Sequence, residues 1–209
     1  MPDFIKMGLA LMMVGLVATS ILAVTESVTR GPIAEAKRQE ILRALTQVLP
    51  QGFDNAPDGD VLQFTDGRLN RKLKPVTFYR GRKGESNLGA AFVVTAPDGY
   101  SGNIEIMMAV APGGIVTGIQ VVAHAETPGL GDKIVITDWP KSFQGKTLEN
   151  TKWGVKKDGG EFDQFAGATI TPRAVVGAVK KGLEFFKENE SKIFQPAEIV
   201  EPASTGAAE

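Results

Sequence analysis

The chain has 209 residues, with 23 basic and 24 acidic side chains and a formal net charge of −1, which gives no electrostatic footprint for nucleic acid. It contains no cysteine and one histidine, which excludes disulfides, iron–sulfur clusters held by its own thiolates and a histidine-rich metal site. A chain of this length can bury a hydrophobic core without disulfides or a structural metal. No metal site is predicted, and a redox centre would be an organic cofactor or belong to a partner.

An uncharged stretch fills residues 7–25, between Lys6 and Glu26. At a helical rise of about 1.5 Å per residue, its length matches the hydrocarbon core of a bilayer. We therefore predict a short tail at residues 1–6 and a transmembrane helix at 7–25. A cleaved signal peptide is the alternative, but the run is long for one and lacks a clean cleavage site. The short tail favours keeping residues 1–6 inside and exporting the rest.

The next predicted elements form a helix and a sheet. Apolar residues recur at helical spacing over residues 32–48, with Pro32 near the start, and define a juxtamembrane helix and linker at 26–50. Residues 51–75 are rich in turn residues and contain one short strand at 61–64. Apolar, β-branched runs separated by glycine-rich turns then predict an antiparallel meander, with strands at 76–80, 90–96, 103–111 and 115–123.

The remainder predicts loops and a closing helix. Residues 126–160 are loop-like, with a short helix predicted at 138–143, and an amphipathic helix is predicted at 171–188. The tail at 193–209 has the composition of a disordered segment. The predicted fold class is α+β: a membrane helix followed by one domain at residues 51–192, in which helices flank an antiparallel sheet.

One segment of this domain indicates a candidate site for chemistry on a bound group. It is the run at 163–173, Asp-Gln-Phe-Ala-Gly-Ala-Thr-Ile-Thr-Pro-Arg. Thr171 is predicted as the N-cap of the closing helix and Pro172 as its first residue. Thr169 then precedes a helix start, where unpaired N–H groups favour a phosphate. Small Gly167 and Ala168 leave room for a bulky group. The simpler interpretation is an ordinary capped helix after a loop.

The Asp-x-x-Ala-Gly-Ala-Thr motif at 163–169 resembles the site at which a flavin transferase esterifies FMN to threonine. The FMN-binding subunits of the Rnf electron transport complex and of the sodium-pumping NADH:quinone reductase carry this motif. Three further stretches, at 96–102, 126–133 and 153–160, resemble the RnfG (RsxG) family of the Rnf complex in particular. Ala166 departs from the family pattern, in which Ser or Thr usually stands before Gly-Ala-Thr.

The resemblance implies a role for each residue of the site. Thr169 would hold FMN through a phosphoester, and Thr171 would also belong to the cofactor-binding site. The transferase would read Asp163, Gly167 and Ala168. Lys156, with Lys157, would neutralise the phosphate. The isoalloxazine ring would contact a loop of four residues: Glu126, Thr127, Leu130 and Gly131. No residue is predicted to be catalytic, because the flavin supplies the chemistry.

The same resemblance implies an electron-transfer subunit, without independent activity, of an ion-translocating oxidoreductase that works between ferredoxin and NAD. It would be a single-pass protein of the bacterial inner membrane with a periplasmic domain. Its partners would be the other subunits, the bilayer around residues 7–25 and the flavin transferase during maturation. Two alternatives stay open: the corresponding subunit of the sodium-pumping quinone reductase, and a membrane-anchored binding module without redox activity.

Overall fold

The computed structural model describes residues 2–195. Most of the predicted disordered tail at 193–209 lies outside these residues. The chain divides into two compact units, residues 1–43 and 44–209. The elements, in chain order, are α1 (Asp3–Val48), β1 (Val61–Phe64), β2 (Val76–Lys83), β3 (Ser86–Ala96), β4 (Ile104–Ala111), β5 (Ile115–Ala123), α2 (Lys133–Ile136) and α3 (Ile170–Ile193).

Helix α1 makes up almost all of the first unit. Its most apolar stretch has a mean hydropathy of 2.3 and is entirely exposed. By length and composition it could cross a membrane, although a signal sequence would meet the same criterion. The sequence predicted a second helix starting at Pro32, but Pro32 instead lies inside one continuous helix. A proline removes one hydrogen bond of the helical ladder and does not always end a helix.

The second unit is built on an antiparallel sheet of five strands in the order β1-β2-β3-β4-β5. The predicted meander and the α+β class are confirmed. Strand β2 is longer than predicted, because the Gly-Arg-Lys-Gly segment at 81–84 continues the strand through a bulge at Gly81 and Arg82. The turn itself lies between Lys83 and Ser86, with Gly84 at a φ of +57°.

Both faces of the sheet are covered. Helix α3 packs on one face, where Phe92 stacks on Phe78 at 4.1 Å between ring centroids and Phe186 of the helix lies beyond it. On the other face, Gly118 lies against Val48 in the last turn of α1, and Thr117 donates a hydrogen bond to the Val48 carbonyl (2.6 Å). Because two layers cover the sheet, β4 is buried over nearly its whole length.

A long connection between β5 and α3 carries α2 and two 3₁₀ helices, Trp139–Phe143 and Lys156–Asp158. The first of these confirms the short helix predicted at 138–143. An aromatic cluster fixes the connection: Phe143 stacks on Phe162 at 4.4 Å, and Trp139 Nε1 donates to the Asp163 carbonyl (2.8 Å). The chain therefore enters α3 from a firmly held loop.

Candidate functional site

The segment before α3 ends in a tight turn. Ala168 N donates to the Phe165 carbonyl (3.0 Å), and Gly167 takes a φ of +78°, which favours glycine. Thr169 follows as the N-cap residue of α3, and its side chain forms no capping hydrogen bond. Within residues 2–195 the Thr169 hydroxyl has no hydrogen-bond partner. It is therefore a half-buried, unengaged hydroxyl at the start of a 24-residue helix.

Thr169 opens onto a cleft of about 270 Å³ between the start of α3 and the loop after β5. Every predicted site residue lines this cleft except Asp163, Lys156 and Lys157. The sequence missed two lining residues. Tyr100 belongs to the 96–102 stretch but was assigned no role, and Ile170 lies between Thr169 and Thr171. The complete lining is Tyr100, Glu126, Thr127, Leu130, Gly131, Gly167, Ala168, Thr169, Ile170 and Thr171.

Asp163 and Lys156 lie outside the cleft and bind each other. Lys156 Nζ is 2.6 Å from Asp163 Oδ1, and both side chains are largely exposed. The phosphate contact of Lys156 therefore stays a prediction. The backbone of Asp163 is held by Trp139, and its side chain is largely exposed.

Thr171 is not the N-cap, so this prediction was wrong. Helix α3 begins at Ile170, and the Thr171 side chain is fully buried. Its hydroxyl donates a short hydrogen bond to Oε2 of Glu126, from the loop after β5. A buried carboxylate needs hydrogen-bond donors, and this requirement outweighs the local preference of threonine for capping its own helix.

Arg173 anchors the first turn of α3 to the 3₁₀ helix at 156–158. Its guanidinium donates two hydrogen bonds to the Asp158 carboxylate, at 2.7 and 2.9 Å. Hydrogen bonding to Arg173, together with the charges of Arg173 and Lys157, holds the pKa of Asp158 below its usual range. Both groups are exposed, so solvent screens the pair and its contribution to stability is small.

A larger cleft of about 510 Å³ lies on the far side of Ile170 and is lined by four cations, Arg68, Arg71, Arg173 and Lys181. It does not include Thr169. Two of the cations are already engaged, because Arg68 binds Asp66 and Glu188 and Arg173 binds Asp158. The smaller cleft is the candidate functional site, because it holds the free Thr169 hydroxyl at the helix start.

The chain carries an FMN-binding domain behind an N-terminal helix, as two family models show. Residues 99–184 match the family model described as FMN-binding domain, and residues 3–48 match the model described as RnfG N-terminal region. The first match covers the lining of the cleft from Tyr100 to Thr171.

Two relatives are similar in sequence to this chain over nearly its whole length. The G subunit of the ion-translocating oxidoreductase complex of Aliivibrio fischeri strain MJ11 is 42% identical, covering 90% of this chain and 92% of the relative. The protein of that name from Pseudomonas aeruginosa strain UCBPP-PA14 is 41% identical and covers 94% of both. The chain belongs to this family, the G subunits of ion-translocating oxidoreductase complexes. A crystal structure of Shewanella oneidensis NqrC is similar, with a TM-score of 0.48 and 23% identity, covering 64% of this chain and 68% of that one.

Proposed function

We propose that this chain is the electron-transfer subunit of a membrane-bound, ion-translocating oxidoreductase of the Rnf type, working between ferredoxin and NAD. Its FMN would be attached to Thr169 by a phosphoester and would carry the electrons. The other subunits of the complex would be its partners, and it would have no activity by itself. The observation that carries this proposal is the unengaged Thr169 hydroxyl in a cleft of the FMN-binding domain.

The residues of the cleft fit an esterified FMN. The first N–H groups of a helix have no acceptor within the helix, and the positive end of its dipole favours phosphate beside Thr169. Gly167 adds no side chain, so the backbone leaves space beside the acceptor. A phosphoester alone would leave the ring free to swing, so a second contact region is required. We place it in the loop at 126–131, where Leu130 lines the cleft and is 43% exposed.

Maturation needs a second protein, which we propose is a flavin transferase that reads Asp163, Gly167 and Ala168. Asp163 stands at the exposed end of this segment, and Gly167 and Ala168 form the turn that presents Thr169. Small residues at the turn allow an enzyme close access to the acceptor hydroxyl.

Mass spectrometry tests the covalent attachment directly. The full chain, produced together with a flavin transferase, should gain the mass of one FMN less one water. The adduct should survive denaturation and give a fluorescent band on a denaturing gel. The same chain produced without the transferase is the control and should show neither. An unmodified mass in both preparations would favour a binding module without covalent flavin.

We further propose that residues 7–25 span the bacterial inner membrane and that the FMN-binding domain, residues 51–192, lies in the periplasm. The absence of cysteine makes a labelling test clean. A membrane-impermeant maleimide should label Lys72→Cys, in the exposed part of the domain, in cells with a permeabilised outer membrane. It should label Asp3→Cys only after lysis. The reverse pattern would overturn the orientation, and a mature chain that lacks residues 7–25 would show that the segment is a cleaved signal.

A further inference from the structure

Three segments of the flavin cleft meet at one buried carboxylate. Glu126 is 4% exposed. Its Oε1 accepts a hydrogen bond from the Ser101 backbone N–H (3.0 Å), and its Oε2 accepts the short hydrogen bond from the Thr171 hydroxyl. Glu126 therefore joins the turn after β3 and the loop after β5 to the helix that follows Thr169.

Two glycines close around this carboxylate. A Cβ atom on Gly131 would lie 2.7 Å from Glu126 Oε2, and one on Gly99 would lie 2.9 Å from Oε1. Both distances are shorter than real Cβ contacts, so only glycine allows these loops to approach so closely. The carboxylate is consequently shielded on both sides and held in one place.

The charge of Glu126 is balanced by neutral donors and not by a cation. Within residues 2–195 no lysine, arginine or histidine forms an ion pair with it, and both of its described partners are uncharged. The neighbouring His124 accepts a hydrogen bond at Nδ1 from the Glu126 backbone N–H (3.2 Å). Each oxygen of the carboxylate therefore accepts one hydrogen bond from an uncharged donor.

We propose that the buried negative charge of Glu126 lowers the reduction potential of the flavin bound in this cleft. An added electron makes the cofactor more negative, and a fixed negative charge nearby opposes that change. A buried charge has a stronger effect than a surface charge, because little water lies around it to screen it. This inference rests on the proposed flavin site, and it assigns to Glu126 an electrostatic role in place of a simple contact with the ring.

Matched variants separate charge from geometry. Glu126→Gln keeps the size of the side chain and an oxygen acceptor for Ser101 but removes the charge. Asp98→Asn removes an exposed carboxylate beside Gly99, where solvent and salt screen the charge.

The reduction potential of the FMN-loaded full chain in detergent is measured by reductive titration with dithionite against a reference dye. We expect Glu126→Gln to shift the potential to a more positive value. Asp98→Asn should match the unmodified chain. Equal potentials for Glu126→Gln and Asp98→Asn would overturn the proposal.

A denaturing gel scored for flavin fluorescence before each titration keeps the two hypotheses apart. An unmodified chain without covalent flavin contradicts the proposed function. Loaded variants with unchanged potentials contradict only the role of Glu126. If Glu126→Gln does not load, the substitution is repeated together with Gly177→Ala, which should stabilise α3 because its added Cβ meets no atom within 4 Å. Failure in that background would show a purely structural role and also overturn the proposal.

Discussion

Replacing Thr169 by alanine should abolish covalent FMN completely while leaving the domain folded. The substitution removes the atom that forms the proposed ester. It removes no capping hydrogen bond, because the Thr169 side chain does not cap α3, so the free energy of unfolding should change by about 0.5 kcal/mol or less. Intact mass and gel fluorescence measure the adduct, and chemical denaturation measures the stability.

Thr127→Ala is the matched control, because Thr127 is an exposed threonine that lines the same cleft. It should keep the adduct at the level of the unmodified chain. Flavin that remains on Thr169→Ala after denaturation would contradict the assignment of the acceptor. Peptide mapping of that product would then identify the residue that carries the flavin.

Replacing Gly160 by alanine should lower the free energy of unfolding far more than Thr169→Ala does. A Cβ atom there would lie 2.0 Å from the Gly154 carbonyl oxygen and 2.5 Å from Gly154 Cα, and backbone atoms cannot move aside as a flexible side chain can. The two segments are joined by a hydrogen bond from Phe162 N to the Gly154 carbonyl (3.1 Å), so separating them also displaces the buried ring of Phe162.

We expect the Gly160 substitution to cost about 3 kcal/mol or more, which corresponds to roughly 10 °C in melting temperature. Gly177→Ala is the control. It adds the same methyl group at a helical site with no atom within 4 Å, and should stabilise the chain by about 0.5–1 kcal/mol. Thermal unfolding of both full chains in detergent provides the comparison. Equal melting temperatures would show that the 154–162 segment is loose enough to absorb the clash.

Local patterns predicted the regular elements well. The edges of β1 and β5 agree with the sequence prediction. In β5 the reason is a β-branched run that starts directly after a glycine-rich turn, which specifies a strand strongly. The position of Thr169 at the start of the closing helix was likewise predicted from local signals. The continuous helix through Pro32 was not predicted, because the cost of one lost hydrogen bond depends on the rest of the helix.

The family motifs predicted most of the cleft but not its internal bonding. The resemblance grouped the loop at 126–131 with Thr169, and the structure brings both to one cleft. It assigned Glu126 to the ring and Lys156 to the phosphate, and both roles stay predictions. It did not indicate that Glu126 binds Ser101 and Thr171, or that Lys156 binds Asp163. The partners of Glu126 lie 25 and 45 residues away in sequence, and no local pattern encodes such pairings.

The sequence alone determined the fold class, the apolar N-terminal helix and the place of Thr169 beside a helix start, because each follows from spacing or residue type within a short window. The tertiary structure decided which polar groups satisfy one another. Burying Glu126 requires donors, and the packing of α3 on the sheet brings Thr171 close enough to supply one. The same packing leaves the Thr169 hydroxyl without a partner among residues 2–195, so the free hydroxyl next to the bound one is a product of the folded arrangement.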